Sequence, residues 1–383
     1  MPINYLNLQP QLNDYCDQAR LAYQNRDQKV ELALSLLHRC ADEIAAGTYQ
    51  ANPALESPHP MSRCARPDSE RVDEKYTVGK TVPYALLASD GSQIISSHHD
   101  ALPISLINIA GIYYQPQSGI APEINVISEF VRDEKNIIDL KMIPEDEVNM
   151  IRDVAEADVI ANWDPDTKLP VLAIGDGPLE LFHEPRSSAS NQQLFQKYLD
   201  TIQKTHQSGK ILGGYIDKPR ADLVVRMLEM LYKTELEQDL TGVTDADIFF
   251  QILEPDTRSA IFQLNSPSSV YYTGSLALHF FYLNVGRVDK PWIVRVEITK
   301  WTADQSDSVQ LLHQALIDQC RLMGSQPYPY LLHRAHEEAV VHMDEKEKLT
   351  ARLSFLLQQS GVEVGDRSYK LSAKELGKRT RMK

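Results

Sequence analysis

The sequence predicts a mixed α/β protein with a helical N-terminal region. Three observations predict it. Apolar runs of strand length alternate with helix-periodic segments from about residue 81 onward. Glycine, proline and acidic residues punctuate those runs, as turns require. The composition, 43% hydrophobic and 24% charged over 383 residues, suits one large domain with extensions, or two domains.

Residues 8–47 read as a helix, with Leu32, Leu34, Leu36 and Leu37 among charged residues and Gly47 as its stop. Residues 51–75 are rich in Pro, Ser and charge and read as a linker or surface loop. Strands are expected at "VPYALLASDGS", at "ISLINIAGIYYQ" (104–115) and at the alternating "EINVISEFV" (123–131). Residues 144–163 read as a helix with acids in its first turn. "KLPVLAIGDGPLELF" (168–182) is a further buried strand ending in Asp-Gly.

Helices are expected near 190–207, at 221–236, where Leu223, Met227 and Leu231 share a face, and at 305–322. Strands are expected in "KILGGYIDKPR", "SAIFQL", "LALHFFYLNV" and "WIVRVEITKW". "YPYLLHRAHEEAVV" (328–341) reads as a helix with Pro329 at its first position. A last amphipathic helix carries Leu349, Leu353 and Leu356, and the tail "KLSAKELGKRTRMK" is basic, either solvated or a weak phosphate contact.

Several classes are disfavoured. No run of about 18 apolar residues suggests a membrane span. The first residues lack the basic start and apolar segment of a signal peptide, and the expected location is cytoplasmic. Cys16, Cys40, Cys64 and Cys320 form no CxxC pair, which argues against a cysteine zinc site and fits a reducing compartment. The net charge of -14 disfavours indiscriminate binding to polyanions, though a local basic channel remains compatible with it.

Two apolar strands end alike, "LLASDGS" at Asp90 and "LAIGDGP" at Asp176. Each would set a carboxylate just past a buried strand, where glycine permits a sharp turn. Neighbouring strands would bring the two carboxylates together, and such a pair calls for a shared proton or a cation. Mg and Mn suit carboxylate oxygens. A third acid is available in Glu156 or Asp153, on the helix before the second Asp-Gly. His336 lies four residues from Leu332 and from Val340, on or near the apolar face: a core histidine, or one exchanging a proton near neutral pH.

Together "ASDGS", "IGDGPLE", "VTDADIFFQIL" (243–253), "RVEI" (295–298) and "YPYLLHRAHEEAVV" resemble, in order and spacing, the NurA nuclease family. The resemblance runs from about residue 80 to 341. It implies an RNase H-like mixed sheet with flanking helices. It implies a manganese- or magnesium-dependent deoxyribonuclease, a 5'-3' exonuclease and single-strand endonuclease acting on DNA ends in recombination repair. A homodimer and a HerA-like hexameric ATPase are the implied partners. Asp90 and Asp176 match the family's two aspartates, and Tyr328 and His336 its Tyr and His. Glu156 is the choice for its glutamate, with Asp153 in reserve because "WDPDTK" lengthens the spacing to Asp176. Asp90, Glu156 and Asp176 would hold the metal. The departures are Pro178, where small polar residues are common, and the N-terminal region and tail.

The resulting division is 1–75 as helical region and linker, 76–345 as the nuclease domain, and 346–383 as C-terminal helix and tail. Lys218, Arg220 and Arg258 are candidate phosphate-backbone contacts, each weighed against an ordinary surface charge. A non-catalytic partner of a HerA-like ATPase is the alternative, disfavoured by the retained acids.

Overall fold

The computed structural model describes residues 3–50, 52, 63–79, 81–95, 102, 104–131, 143–181, 189–236 and 238–361. Residues 51 and 53–62 of the expected linker and all of the basic tail lie outside them. The elements are α1 (Tyr5–Ala45), β1 (Cys64–Pro67), β2 (Tyr76–Thr77), β3 (Ala85–Ile94), β4 (Ser105–Tyr114), β5 (Glu123–Val131), α2 (Glu145–Asn162), β6 (Val171–Asp176), α3 (Ala189–Gln207) and β7 (Ile211–Ile216). Then come α4 (Leu223–Leu231), α5 (Asp245–Ile252), β8 (Thr257–Arg258), β9 (Phe262–Asn265), β10 (Leu278–Asn284), β11 (Ile293–Thr299), α6 (Lys300–Ala303), α7 (Ser306–Leu322), α8 (Tyr330–Ala339) and α9 (Met343–Gln359). A mixed sheet with flanking helices is therefore the fold class, preceded by a helical N-terminal region. No helix among the described residues is long and apolar enough to cross a membrane.

The chain forms two compact units. One comprises Pro83–Asp176, Leu181–Leu212 and Tyr328–Lys383. Its strands run β6-β3-β4-β5. β3 pairs with β6 in parallel (Ser89↔Gly175) and with β4 antiparallel (Asp90↔Ala110), and β4 pairs with β5 antiparallel (Ile109↔Ile127). Strand alternation separates the two faces of β3. Ser89 and Gln93 reach α2, while Ser92 reaches the end of α8. Apolar residues drive the α2 side: Ile107, Ile109, Ile143 and Val148 form a core cluster joined by Ile151, Ala155 and Val159. The three α2 members among those last recur at helical spacing, so one stripe of α2 is buried.

The other unit comprises Met1–Val82, Gly177–Glu180 and Gly213–Pro327. Its strands run β1-β9-β10-β11-β7, and the short β8 joins β2 to β10. β10 and β11 are buried at every residue, which explains their nearly unbroken apolar sequences. Phe249 of α5 stacks on Tyr282 of β10 at 4.7 Å between ring centroids. The second half of α1 buries Val30, Ala33, Leu37 and Ala41 at spacings of three and four. The ion pairs that fasten it include Arg26–Asp247, Lys29–Asp239, Arg39–Glu235 and Asp42–Arg71.

Four expectations need correction. The stretch 51–75 is not all linker, because Cys64–Pro67 forms β1 against β9 with Cys64 and Ala65 buried. Asp90 does not end its strand; it is the sixth of ten residues in β3. Pro329 caps α8 from outside instead of occupying its first position. His336 is not on the buried stripe of α8, which consists of Leu331, Leu332, Ala335 and Ala339.

Candidate active site

All of the predicted acids, with Tyr328 and His336, fall in the unit that contains β3–β6. The last parallel pair between β3 and β6 is Ser89↔Gly175. Asp90 and Asp176 are therefore the next residue on each of two neighbouring strands. Only the second terminates its strand. Asp176 is exposed, and Gly177 follows in the left-handed region at φ +96°, a conformation open to glycine at no steric cost. Pro178 lies just beyond this turn.

Asp90 is largely buried, with 13% of its side chain exposed. Its Oδ2 lies 2.7 Å from Nδ1 of His336, whose side chain is 63% exposed. The sequence builds this contact from both sides. The even positions of β3 face α8. The C-terminal end of α8 is pinned there: Asn108 Nδ2 donates to the Ala339 carbonyl at 2.8 Å, the Ser92 hydroxyl donates to the same carbonyl, and the Val341 amide donates to Ser92 Oγ at 3.1 Å. His336 sits one turn before that anchor. Tyr328 is half-buried and precedes the first turn of α8, so the helix separates it from the Asp90–His336 contact.

Glu156 lies on α2 and approaches from the other face of β3. Ser89 Oγ donates to its backbone carbonyl at 2.9 Å. Its carboxylate pairs with Arg152 Nε at 3.1 Å, while Arg152 Nη2 donates to Asp153 Oδ1 at 2.8 Å and Arg152 Nη1 donates to Gln93 Oε1 at 2.7 Å. Gly91 admits this arrangement. A Cβ there would lie 2.5 Å from Glu156 Oε1, 2.7 Å from Ile109 Cδ1 and 2.8 Å from Arg152 Cγ. The glycine of "SDGS" is thus required for close approach of α2, and its backbone is ordinary strand.

Burial pushes the Glu156 carboxyl well above the usual carboxylate range. Arg152 opposes the shift; Asp153, Asp90 and Asp176 reinforce it. Three aspartates on α2, β3 and β6 are thus close enough to discourage a further negative charge. As the side chains stand, no three His, Cys, Asp or Glu among the described residues converge into a ready metal-binding group.

Arg152 is the residue sequence reasoning missed. The signal was present, since Arg152 and Glu156 are four apart on one helix face. Of the three cations proposed for DNA, Lys218 and Arg220 are exposed. Lys218 Nζ lies 4.6 Å from the centre of the Trp292 ring. Arg258 is not available in that way. It is buried, its guanidinium forks onto Glu70 at 2.6 and 2.7 Å, and it lies over the Tyr76 ring.

The fold is similar to that of the NurA nuclease from Sulfolobus solfataricus, with a TM-score of 0.52 at 10% identity over 75% of this chain and 88% of that one. Argonaute from A. aeolicus (10% identity, TM-score 0.30, 68% of this chain and 28% of that one) and endonuclease V from Ciona intestinalis (10%, 0.31, 70% and 87%) also match, at scores too low to bear on the fold. No curated protein sequence matches the chain. A sequence profile of the NurA domain matches residues 84–341, more than half of the chain, and the chain belongs to the NurA family.

Proposed function

We infer that this protein is a divalent-metal-dependent deoxyribonuclease acting on DNA ends. The observation that carries the reading is the placement of Asp90 and Asp176 each one residue past the last pair of two parallel, adjacent strands, with His336 hydrogen-bonded to the first. The NurA nuclease whose fold it shares supports the same class.

The donor set fits a hard cation. Two aspartates at neighbouring strand positions repel each other when ionised, and the Glu156 carboxyl, raised first by burial, is raised further by Asp153, Asp90 and Asp176. Asp90 and Asp176 would hold Mn2+ or Mg2+, with Glu156 joining once released from Arg152, and Asp153 as the reserve. When bound, such an ion polarises the scissile phosphate and acidifies water.

The chain's own residues supply the rest. An ionised Asp90 would accept from His336 Nδ1, and in that tautomer Nε2 carries the lone pair. Nε2 can then take a proton from the attacking water and return it to the leaving oxygen. Tyr328 would orient a phosphate or stack on a base. Lys218 and Arg220 would contact the DNA backbone. With a net charge of -14, the protein would rely on a homodimeric channel and a HerA-like hexameric ATPase to retain DNA. A 5'-3' polarity and single-strand endonuclease activity belong to the same reading. Digestion of end-labelled single- and double-stranded DNA with Mn2+, Mg2+ or EDTA tests it. Cleavage abolished by EDTA is expected; cleavage indifferent to EDTA, or none with either metal and a purified HerA-like ATPase, contradicts it.

A further inference from the structure

The sequence motifs "VTDADIFFQIL" and "RVEI" take no part in the proposed chemistry, yet each contributes an acid to the protein interior. Asp245 and Glu297 are fully buried, and Glu180 of "IGDGPLE" is nearly so. Burying several charges together seldom gains stability over an apolar core. What these groups hold in place is therefore informative.

Glu297 sits in β11 between Phe280 of β10 and Gly214 of β7. Directly opposed residues of an antiparallel pair share a face, and on that face Gly214 leaves a gap. A Cβ on Gly214 would lie 2.6 Å from the Gly177 carbonyl oxygen and 3.2 Å from the Leu179 amide nitrogen. The segment Gly177–Glu180 fills the gap, and Glu297 reaches it. Its Oε2 accepts from the Leu179 amide at 2.9 Å and from the Glu180 amide at 3.3 Å. Both amides lie beyond β6 in buried residues, where a donor needs an acceptor. The rest of the segment is tied as well. The Gly177 amide donates to the Tyr215 carbonyl at 2.8 Å, and the Tyr272 hydroxyl donates to the Leu179 carbonyl at 3.3 Å. The Glu180 carboxylate accepts from Ser266 Oγ at 2.5 Å and from Ser268 Oγ, and it pairs with Arg63 at 2.5 Å.

Glu297 is itself fixed. Its Oε1 accepts from Arg295 Nη2 at 2.9 Å and lies 3.7 Å from Arg63 Nη2. Arg295 stands opposite Tyr282 of β10, whose hydroxyl donates to Asp245 Oδ2 at 2.7 Å. Asp245 Oδ1 accepts from the Val224 and Val225 amides at 2.9 and 3.0 Å, at the start of α4.

The geometry points to Glu297 as a positioning residue for Asp176. Through the Leu179 and Glu180 amides it fixes the segment that leaves Asp176 by the next peptide bond, which confines the position of that carboxylate. The inference rests on the nuclease reading, in which Asp176 holds a divalent ion. Glu297, fully buried, acts only through the segment.

The test is Mn2+ binding to the DNA-free protein by calorimetry, with cleavage kinetics alongside. Glu297→Gln keeps the shape but offers one acceptor oxygen and removes the charge that faces Arg295. Groups that orient a metal ligand are worth about 10–100-fold in metal affinity, and Mn2+ binding should weaken by about that factor. The Mn2+ needed for half-maximal cleavage should rise alike, with KM for DNA within about twofold and kcat recovering at saturating Mn2+. Glu180→Gln keeps an acceptor for the two serines and loses the Arg63 pair. It should shift Mn2+ affinity in the same direction, and it reads out the same segment if Glu297→Gln does not fold. Leu37→Ala truncates a fully buried side chain in the same unit, so it lowers Tm but should leave Mn2+ affinity unchanged. Wild-type Mn2+ affinity in the folded carboxamide variants, or an equal loss in Leu37→Ala, overturns the positioning role alone. No Mn2+ binding by the wild type overturns the nuclease reading, and the positioning role falls with it.

Discussion

Asp90 Oδ2 and His336 Nδ1 lie 2.7 Å apart, joining the middle of β3 to the exposed face of α8 across 246 residues of chain. The carboxylate is nearly buried and the imidazole largely exposed, so one end of the pair is fixed and the other is open to solvent. Because the ring contributes little to the core, its removal should cost activity and not stability. His336→Ala is expected to lower kcat by about 10²–10⁴ while Tm stays within a degree or two. His336→Gln should restore little, since it cannot exchange a proton near pH 7. An unchanged kcat in His336→Ala would remove the histidine from the mechanism.

Gly91 is predicted to be intolerant for a packing reason. The Cβ of Gly91→Ala would meet Glu156, Ile109 and Arg152 at 2.5–2.8 Å. Two of these contacts are far ends of side chains, but Arg152 Cγ is held by its fork onto Asp153 and Gln93. The overpacking should cost about 1–3 kcal/mol. Urea unfolding of the metal-free variant measures it; a midpoint equal to wild type would show that α2 shifts freely.

Arg258 should behave as a structural residue. Arg258→Ala leaves Glu70 without its bidentate partner, and breaking a buried pair from one side costs about 3–5 kcal/mol. Lys218→Ala and Arg220→Ala are exposed changes and should alter stability by no more than about 0.5 kcal/mol. Under the nuclease reading they weaken DNA binding and reduce its salt dependence. Calorimetric melting and DNA binding at two salt concentrations separate the two kinds of effect.

Acid should destabilise the fold through two buried histidines. Burial lowers His206 and His313 to about 4. In the unfolded chain each titrates at its ordinary value of 6.5. The unfolded state therefore binds more protons between those values. Their stabilising contribution is full above about pH 6.5 and is lost as pH falls toward 4, by about 3 kcal/mol each at most. Asp245 works in the opposite sense. Burial raises it to about 6, so its contribution is present at low pH and fades as pH rises through 6. Two histidines outweigh one aspartate, and net stability should fall on acidification. His206→Gln/His313→Gln should flatten or reverse that slope in thermal melts at pH 7.5, 6 and 5. A slope unaltered by the double change would assign acid sensitivity elsewhere.

The parts legible in the sequence were those written in periodicity. β4, β5, β10, α2, α3 and α7 follow directly from alternation, apolar runs and helical spacing. β1 was hidden because "CARP" is short, Pro-terminated and set in a polar stretch; its burial comes from pairing with β9, a partner almost 200 residues away. The Asp-Gly pairs misled at Asp90 for a related reason. Glycine serves a turn at Gly177 but a close helix approach at Gly91, and local sequence does not distinguish these uses. The exposure of His336 and the burial of Arg258 were likewise set by tertiary partners, Asp90 and Glu70. Arg152 is readable from its i,i+4 spacing to Glu156 on α2.

The most direct measurement is metal-dependent cleavage of end-labelled DNA by wild type, Asp90→Asn and Asp176→Asn, each checked for a wild-type circular dichroism spectrum. The isosteric amides keep shape and remove charge. Mn2+-dependent cleavage is expected in the wild type, with a loss of at least about 10³-fold in each variant. Cleavage that persists in both variants would contradict a centre built on these two strands.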